Sequence, residues 1–97
     1  MSENNPKPEV QHHPQDGRFS LGLEGNTAVL EYHRDDNIIT FTHTGVPTEL
    51  EGRGIGSRLA RAGLDYAREQ QLKVQAVCWF IAGYIEKHPE YQSLLDS

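Results

Sequence analysis

A chain of 97 residues allows one domain, and a domain of this size buries only about 60–65% of its unfolded surface, so its core is thin. The net charge of −5 argues against a nucleic-acid binder, which shows a basic face or stripe. The single cysteine, Cys78, excludes an internal disulfide framework and a multi-cysteine zinc site.

No apolar signal-peptide segment opens the chain, and no run of eighteen apolar residues occurs. The expectation is a soluble cytoplasmic protein with neither a nucleic-acid nor a membrane partner. Residues 1–17 are polar, carry Pro6, Pro8 and Pro14, and show no apolar period. They read as a disordered tail, with His12 and His13 as solvated side chains, since no second cluster completes a metal site.

Order is expected over residues 18–97. Phe19, Leu21 and Leu23 alternate as in a half-buried strand, and Glu24-Gly25-Asn26 is a turn signal. Ala28, Leu30 and Tyr32 continue in a second strand, with His33 on its surface face. Asp35-Asp36-Asn37 turns the chain into a third strand over 38–44, rich in β-branched and aromatic residues. Short turns between the three imply an antiparallel meander.

From Ile55 the apolar period becomes helical. Ile55, Leu59, Ala60, Gly63, Leu64 and Ala67 recur at three- and four-residue spacing, which predicts an amphipathic helix of about four turns. Gly63 on that stripe points to close packing on a sheet. Val74, Ala76 and Cys78 alternate in a fourth strand, and residues 79–87 form a second helix that stops before Pro89. Trp79, Phe80 and Ile81 are expected to anchor it, with Trp79 also a candidate for the cleft wall. Residues 91–95 read as a last turn. The strand-helix-strand crossover makes the third and fourth strands parallel. The fold class is α/β with a mixed four-stranded sheet.

The chemistry concentrates between the third strand and the first helix. In Glu51-Gly52-Arg53-Gly54-Ile55-Gly56 the glycines alternate just ahead of the helical pattern. Glycine lets backbone approach a ligand, and the first helical N–H groups lack intrahelical acceptors and favour an anion. The loop therefore has the properties of a pyrophosphate cradle, with Arg53 and Arg58 able to add charge-assisted contacts. From the glycines alone, a tight structural turn explains it equally well. A Walker loop is excluded because Ser57-Arg58 follows Gly56 where Lys-Ser/Thr is required. The dinucleotide fingerprint also fails, since no acidic residue closes the fourth strand.

The segment from His43-Thr44-Gly45-Val46 through Gly52-Arg53-Gly54-Ile55-Gly56 resembles the central motif of the GNAT acyltransferase superfamily, Arg/Gln-x-x-Gly-x-Gly/Ala after a strand. More closely, the chain resembles the small single-domain GNAT-like N-acetyltransferases, which share the His-Thr-x-Val strand end, the glycine loop and a cysteine closing the next strand. His88-Pro89-Glu90-Tyr91 matches their tail. The resemblance covers residues 19–95 and implies a minimal GNAT core that moves an acetyl group from acetyl-CoA to an amine of a small molecule or protein. The alternative is a non-catalytic CoA- or acetyl-CoA-binding or sensor module. It further implies that the cofactor lies between the third and fourth strands. There Thr44 and Val46 lie along the pantetheine, and Glu51, Gly52, Arg53, Gly54, Ile55, Gly56, Ser57 and Arg58 surround the phosphates. Glu51 stands where the family carries Arg or Gln, and Trp79 where these small proteins often carry Pro.

Cys78 and His43 are the catalytic candidates. Cys78 is placed at a helix N-terminus, which favours a thiolate. It reads as nucleophile, base or acid, or as a small apolar residue on the face of Val74 and Ala76. His43, counted onto the face of Ile39 and Phe41, reads either as a base and partner of Cys78 or as a satisfied, partly buried histidine. Thr44 reads as a hydrogen-bonding partner of the cofactor amides or as a strand-end residue. Glu49 is a water-activating candidate or a solvated carboxylate. Tyr84 is a candidate to reach a leaving thiolate, with core packing the favoured reading.

Overall fold

The computed structural model describes residues 9–95. Strand β1 (Gln11–His13) is followed by β2 (Arg18–Leu23), β3 (Asn26–Asp35) and β4 (Ile38–Gly45). A 3-10 turn (Thr48–Leu50) leads to helix α1 (Ile55–Glu69), then β5 (Lys73–Ala76), helix α2 (Trp79–Lys87) and a 3-10 segment (Pro89–Leu94). The sheet runs in the order β1-β2-β3-β4-β5, antiparallel through β4 and parallel from β4 to β5. The α/β mixed sheet with a parallel last strand is as expected, with one strand more.

That extra strand lies inside the stretch expected to be a disordered tail. His12 stacks on Phe19 at 4.1 Å, shares a 2.6 Å hydrogen bond with the Tyr32 hydroxyl and meets the Tyr66 ring edge-on. His13 Nε2 bonds Ser20 Oγ at 2.8 Å. The two histidines are therefore packed side chains that fasten an edge strand. Polar composition hid this, because aromatic faces rather than aliphatic ones make the contact. Residues 1–8 lie outside the described part. Among the described residues no helix is long and apolar enough to cross a membrane.

Cross-strand pairs show that the core lines one face of the sheet. Phe19 pairs with Leu30, Leu21 with Ala28, Tyr32 with Phe41 and Ile39 with Val74, and all eight are buried. Intervening residues such as Ser20, Val29, Glu31, Thr40 and Gln75 are half-buried or exposed. The stripe of α1 covers the buried face through Ile55, Leu59, Ala60, Gly63, Leu64 and Ala67. Each fully buried Leu contributes roughly 1.5–3 kcal/mol. At Gly63 the helix comes so close that a Cβ would lie 2.8 Å from Leu30 Cδ2 and 2.9 Å from Phe41 Cε1.

Strand β4 contains a β-bulge opposite β3. Glu31 pairs with His43 but Tyr32 with Phe41, leaving Thr42 as the extra residue. Beyond it Leu30 pairs with Thr44, so Thr44 takes the core face and His43 turns to the side of Glu31. Simple alternation placed His43 with Ile39 and Phe41; the bulge reverses that assignment.

Gly63→Ala, despite the higher helix propensity of alanine, is expected to lose about 1–3 kcal/mol through overpacking, read as a lower urea midpoint. Burial, reinforced by His13, lowers the pKa of His12 from its usual 6.5. Protonation thus favours the unfolded chain. The His12 contribution is complete above pH 6.5 and is lost as pH falls through the lowered folded value. Thermal melts of His12→Phe between pH 7 and pH 5, about the span in which histidine titrates, should show a shallower loss of stability than the parent.

Candidate active site

The site forms because β4 and β5 part. Their ladder runs from Ile38↔Lys73 to Phe41↔Ala76, and the Cys78 N–H still reaches the Phe41 carbonyl at 2.9 Å. Past this last rung β4 stays with β3, where Val29 pairs with Gly45, while the segment after β5 enters α2. The opening is a cleft of about 590 Å³, well within the usual range for small-molecule sites.

One wall is the end of β4, with Thr42, His43 and Thr44, followed by Val46. The floor is the glycine loop and the start of α1, contributed by Glu51, Gly52, Gly54, Ile55, Gly56 and Ser57. Val77, Cys78, Trp79 and Phe80 form the opposite wall. The loop is brought under the cleft by the turn Thr48–Leu50, closed by a 2.8 Å bond from the Leu50 N–H to the Pro47 carbonyl, with Leu50 fully buried. Leu50 was not singled out in the sequence; an isolated leucine between turn residues carries no period, though an apolar residue just ahead of a glycine loop is the signal that finds it.

Gly52 and Gly54 adopt left-handed backbone, φ 83 and φ 73. A side chain there is strained although space is open. Gly56 has a different reason for being glycine, because a Cβ would lie 2.9 Å from Phe80 Cζ. It lets α1 and α2 approach. Gly54 is the N-cap of α1 and no side chain caps it, which leaves the first N–H groups of the helix without a side-chain acceptor at the cap.

Cys78 is not in the strand, which ends at Ala76; it is the N-cap of α2, and its carbonyl accepts the Ala82 N–H. The residue is 7% exposed, and its Sγ lies 3.2 Å from Thr44 Oγ1, with either atom able to donate. Thr44 rather than His43 is therefore the partner of Cys78 across the wedge, a consequence of the bulge. His43 is exposed on the lip of the cleft.

The remaining candidates separate. The Arg53 guanidinium is turned away to Glu24, Nη1 to Oε2 3.0 Å. Arg53 and Arg58 do not line the cleft. Trp79 is 82% exposed, so Ile81 and Phe80 rather than Trp79 hold α2, and Trp79 stands at the cleft wall. Glu49 is exposed. Tyr84 stacks on His88 at 3.9 Å and borders a second, polar hollow with Asp65 and Tyr91, away from the cleft. The motif His88-Pro89-Glu90-Tyr91 is structural: His88 Nδ1 donates to the Tyr84 carbonyl at 2.8 Å, and the Tyr91 hydroxyl donates to Asp65 Oδ1 at 2.7 Å.

Residues 18–94 match the family model described as GCN5-related N-acetyl-transferase. The chain belongs to the GCN5-related N-acetyltransferase family. It is 40% identical to Protein NATD1 of Mus musculus over 88 residues, 88% of this chain and 80% of that protein. The human NATD1 protein is 38% identical over 88 residues, 88% and 78% of the two chains. A GCN5-like protein of Staphylococcus aureus, solved by NMR, superimposes with a TM-score of 0.72 at 35% identity, covering 92% of this chain and 88% of its own. Family membership supports acetyl transfer as the general chemistry of this GNAT cleft.

Burial and the hydrogen bond to Asp65 push the Tyr91 phenol up to about 12. Its stabilisation is thus complete below the usual pKa of 10.0 and is lost as pH rises toward 12. Tyr91→Phe should cost about 1–2 kcal/mol in denaturant melts at neutral pH and remove that alkaline limb. Ligand affinity at the cleft should be unchanged, because Tyr91 does not line it.

Proposed function

We propose that the chain transfers the acetyl group of acetyl-CoA to an amine. The observation that carries this reading is the cleft itself: strand walls that part at Phe41, a glycine-lined helix N-terminus beneath them, and the Cys78–Thr44 pair inside. The residues fit the cofactor. The N–H groups of Ile55, Gly56 and Ser57 at the start of α1 and the positive end of the helix dipole suit a pyrophosphate, and the glycines leave room for it. Thr44 and Val46 offer a strand end for the pantetheine amides. When bound, acetyl-CoA supplies an activated thioester.

Transfer to an amine forms a C–N bond, breaks the C–S bond and moves one proton from nitrogen to sulfur. His43, on the lip, accepts the proton of an amine entering from solvent. Cys78, within the cleft, donates a proton from Sγ to the departing sulfur, Thr44 Oγ1 at 3.2 Å orients it, and solvent water carries the proton from His43 back to Cys78 to restore both groups.

One observation favours a second reading, a CoA-binding module without turnover. Among the described residues the cleft lining holds no Lys or Arg, and its floor carries the Glu51 carboxylate. Phosphate affinity then rests on backbone groups and is modest.

Titration with acetyl-CoA, followed by amide NMR, should shift the signals of residues 52–57. Asp tolerates left-handed backbone, so Gly54→Asp tests the cradle by charge, and affinity should fall at least about tenfold. Cys78→Ala should lower amine acetylation by about a hundredfold with acetyl-CoA affinity kept. Binding without acetylation of any amine would favour the module. An unshifted spectrum at millimolar acetyl-CoA would overturn both readings.

A further inference from the structure

Arg53 stands between two glycines and is the only residue of 51–57 that does not line the cleft. Gly52 and Gly54 are both left-handed, and a Cβ on either would meet nothing within 4 Å. No side-chain packing therefore acts at these two glycines. The Arg53 side chain between them is held: its Nη1 donates to Glu24 Oε2 at 3.0 Å, across 29 positions of sequence. This contact holds the Glu24 carboxyl below its usual range.

Glu24 is presented from a rigid support. It is the first residue of the two-residue turn between β2 and β3, with φ 55 followed by φ 79 at Gly25. Positive φ at both positions is the hairpin geometry that matches the strand twist. Behind it the ladder pairs every residue from Arg18↔Glu31 to Leu23↔Asn26. A glutamate in the left-handed region is uncommon, and the hairpin closure keeps it there. A carboxylate on a fixed turn thus grips the one side chain of the 52–54 segment.

We propose that Glu24 and Arg53 form a tie that holds the 52–54 segment in its phosphate-ready conformation, so that Arg53 acts through loop geometry and not by contacting phosphate. The consequence for the ligand rests on the acetyl-CoA reading above. Both are positioning residues. A loop ordered beforehand loses less freedom on binding, which raises affinity. An arginine beside a phosphate loop otherwise reads as a phosphate clamp, and the two roles give opposite outcomes. If Arg53 were a clamp held in reserve, releasing it from Glu24 would strengthen binding.

The experiment compares E24Q, R53Q, the double substitution and the exchanged pair E24R/R53E, by amide hydrogen exchange of the free proteins and by acetyl-CoA titration. A tie predicts faster exchange at Gly52 and Gly54 in each single variant, and recovery in the exchanged pair. It predicts acetyl-CoA affinity about three- to fivefold weaker in E24Q and R53Q. The double substitution should be no worse than either alone, and the exchanged pair should return to within about twofold of the parent. In turnover, the KM for acetyl-CoA should rise with kcat unchanged. Tighter binding by E24Q, loss of affinity in the exchanged pair, or unaltered exchange at Gly52 and Gly54 would each overturn the proposal. If the parent protein itself binds no acetyl-CoA, the functional reading falls, while amide exchange still decides the tie.

Discussion

The last rung between β4 and β5, the 2.9 Å bond from the Cys78 N–H to the Phe41 carbonyl, is the constraint on which the site depends. Up to that bond the strands are a parallel ladder; after it each follows a different neighbour. The bulge at Thr42 sits at the same level and re-aims the outgoing strand, so Thr44 faces the core side and His43 the opposite one. A cleft between two strands needs a cause for their separation, and here the cause is one extra residue in β4 together with the entry of the other strand into a helix.

The glycines illustrate how one residue type serves distinct demands in a small domain. Gly63 is occupied by the approach of α1 to Leu30 and Phe41, and Gly56 by the approach of Phe80. Gly52 and Gly54 answer to backbone conformation, with open space where side chains would be. The helix docks most closely on the sheet at Gly63, about two turns beyond the cradle, and that docking, which stabilises the core, also fixes the direction of the helix N-terminus toward the cleft.

Both ends of the described chain are fastened by aromatic and polar contacts in addition to the aliphatic packing of Val10 and Leu94. At one end His12 lies among Phe19, Tyr32 and Tyr66. At the other, Tyr91 is held by Asp65 with Arg68 over its ring at 5.1 Å. A core this small gains proportionately from such edge fastenings.

Much of the architecture was legible in the sequence because it follows from periodicity. The alternation of Phe19, Leu21, Ala28, Leu30 and Tyr32, and the helical spacing from Ile55 to Ala67, each repeat over several residues, and burial of one face enforces the pattern. The glycine loop was legible because its residue types act through backbone chemistry at consecutive positions. The remainder depends on contacts between distant residues. The bulge at Thr42 breaks alternation without any residue that marks it, and so exchanged the faces of His43 and Thr44. Strand β1 is polar in composition, and its order comes from ring contacts with Phe19, Tyr32 and Tyr66. The turn of Arg53 toward Glu24 joins two loops that only the folded hairpin brings together. The sequence by itself determined the layers, the crossover and the family motif, since local period and backbone chemistry are carried by neighbouring residues. The tertiary structure alone decided which side chains meet across the cleft, since register and loop contact are properties of paired segments.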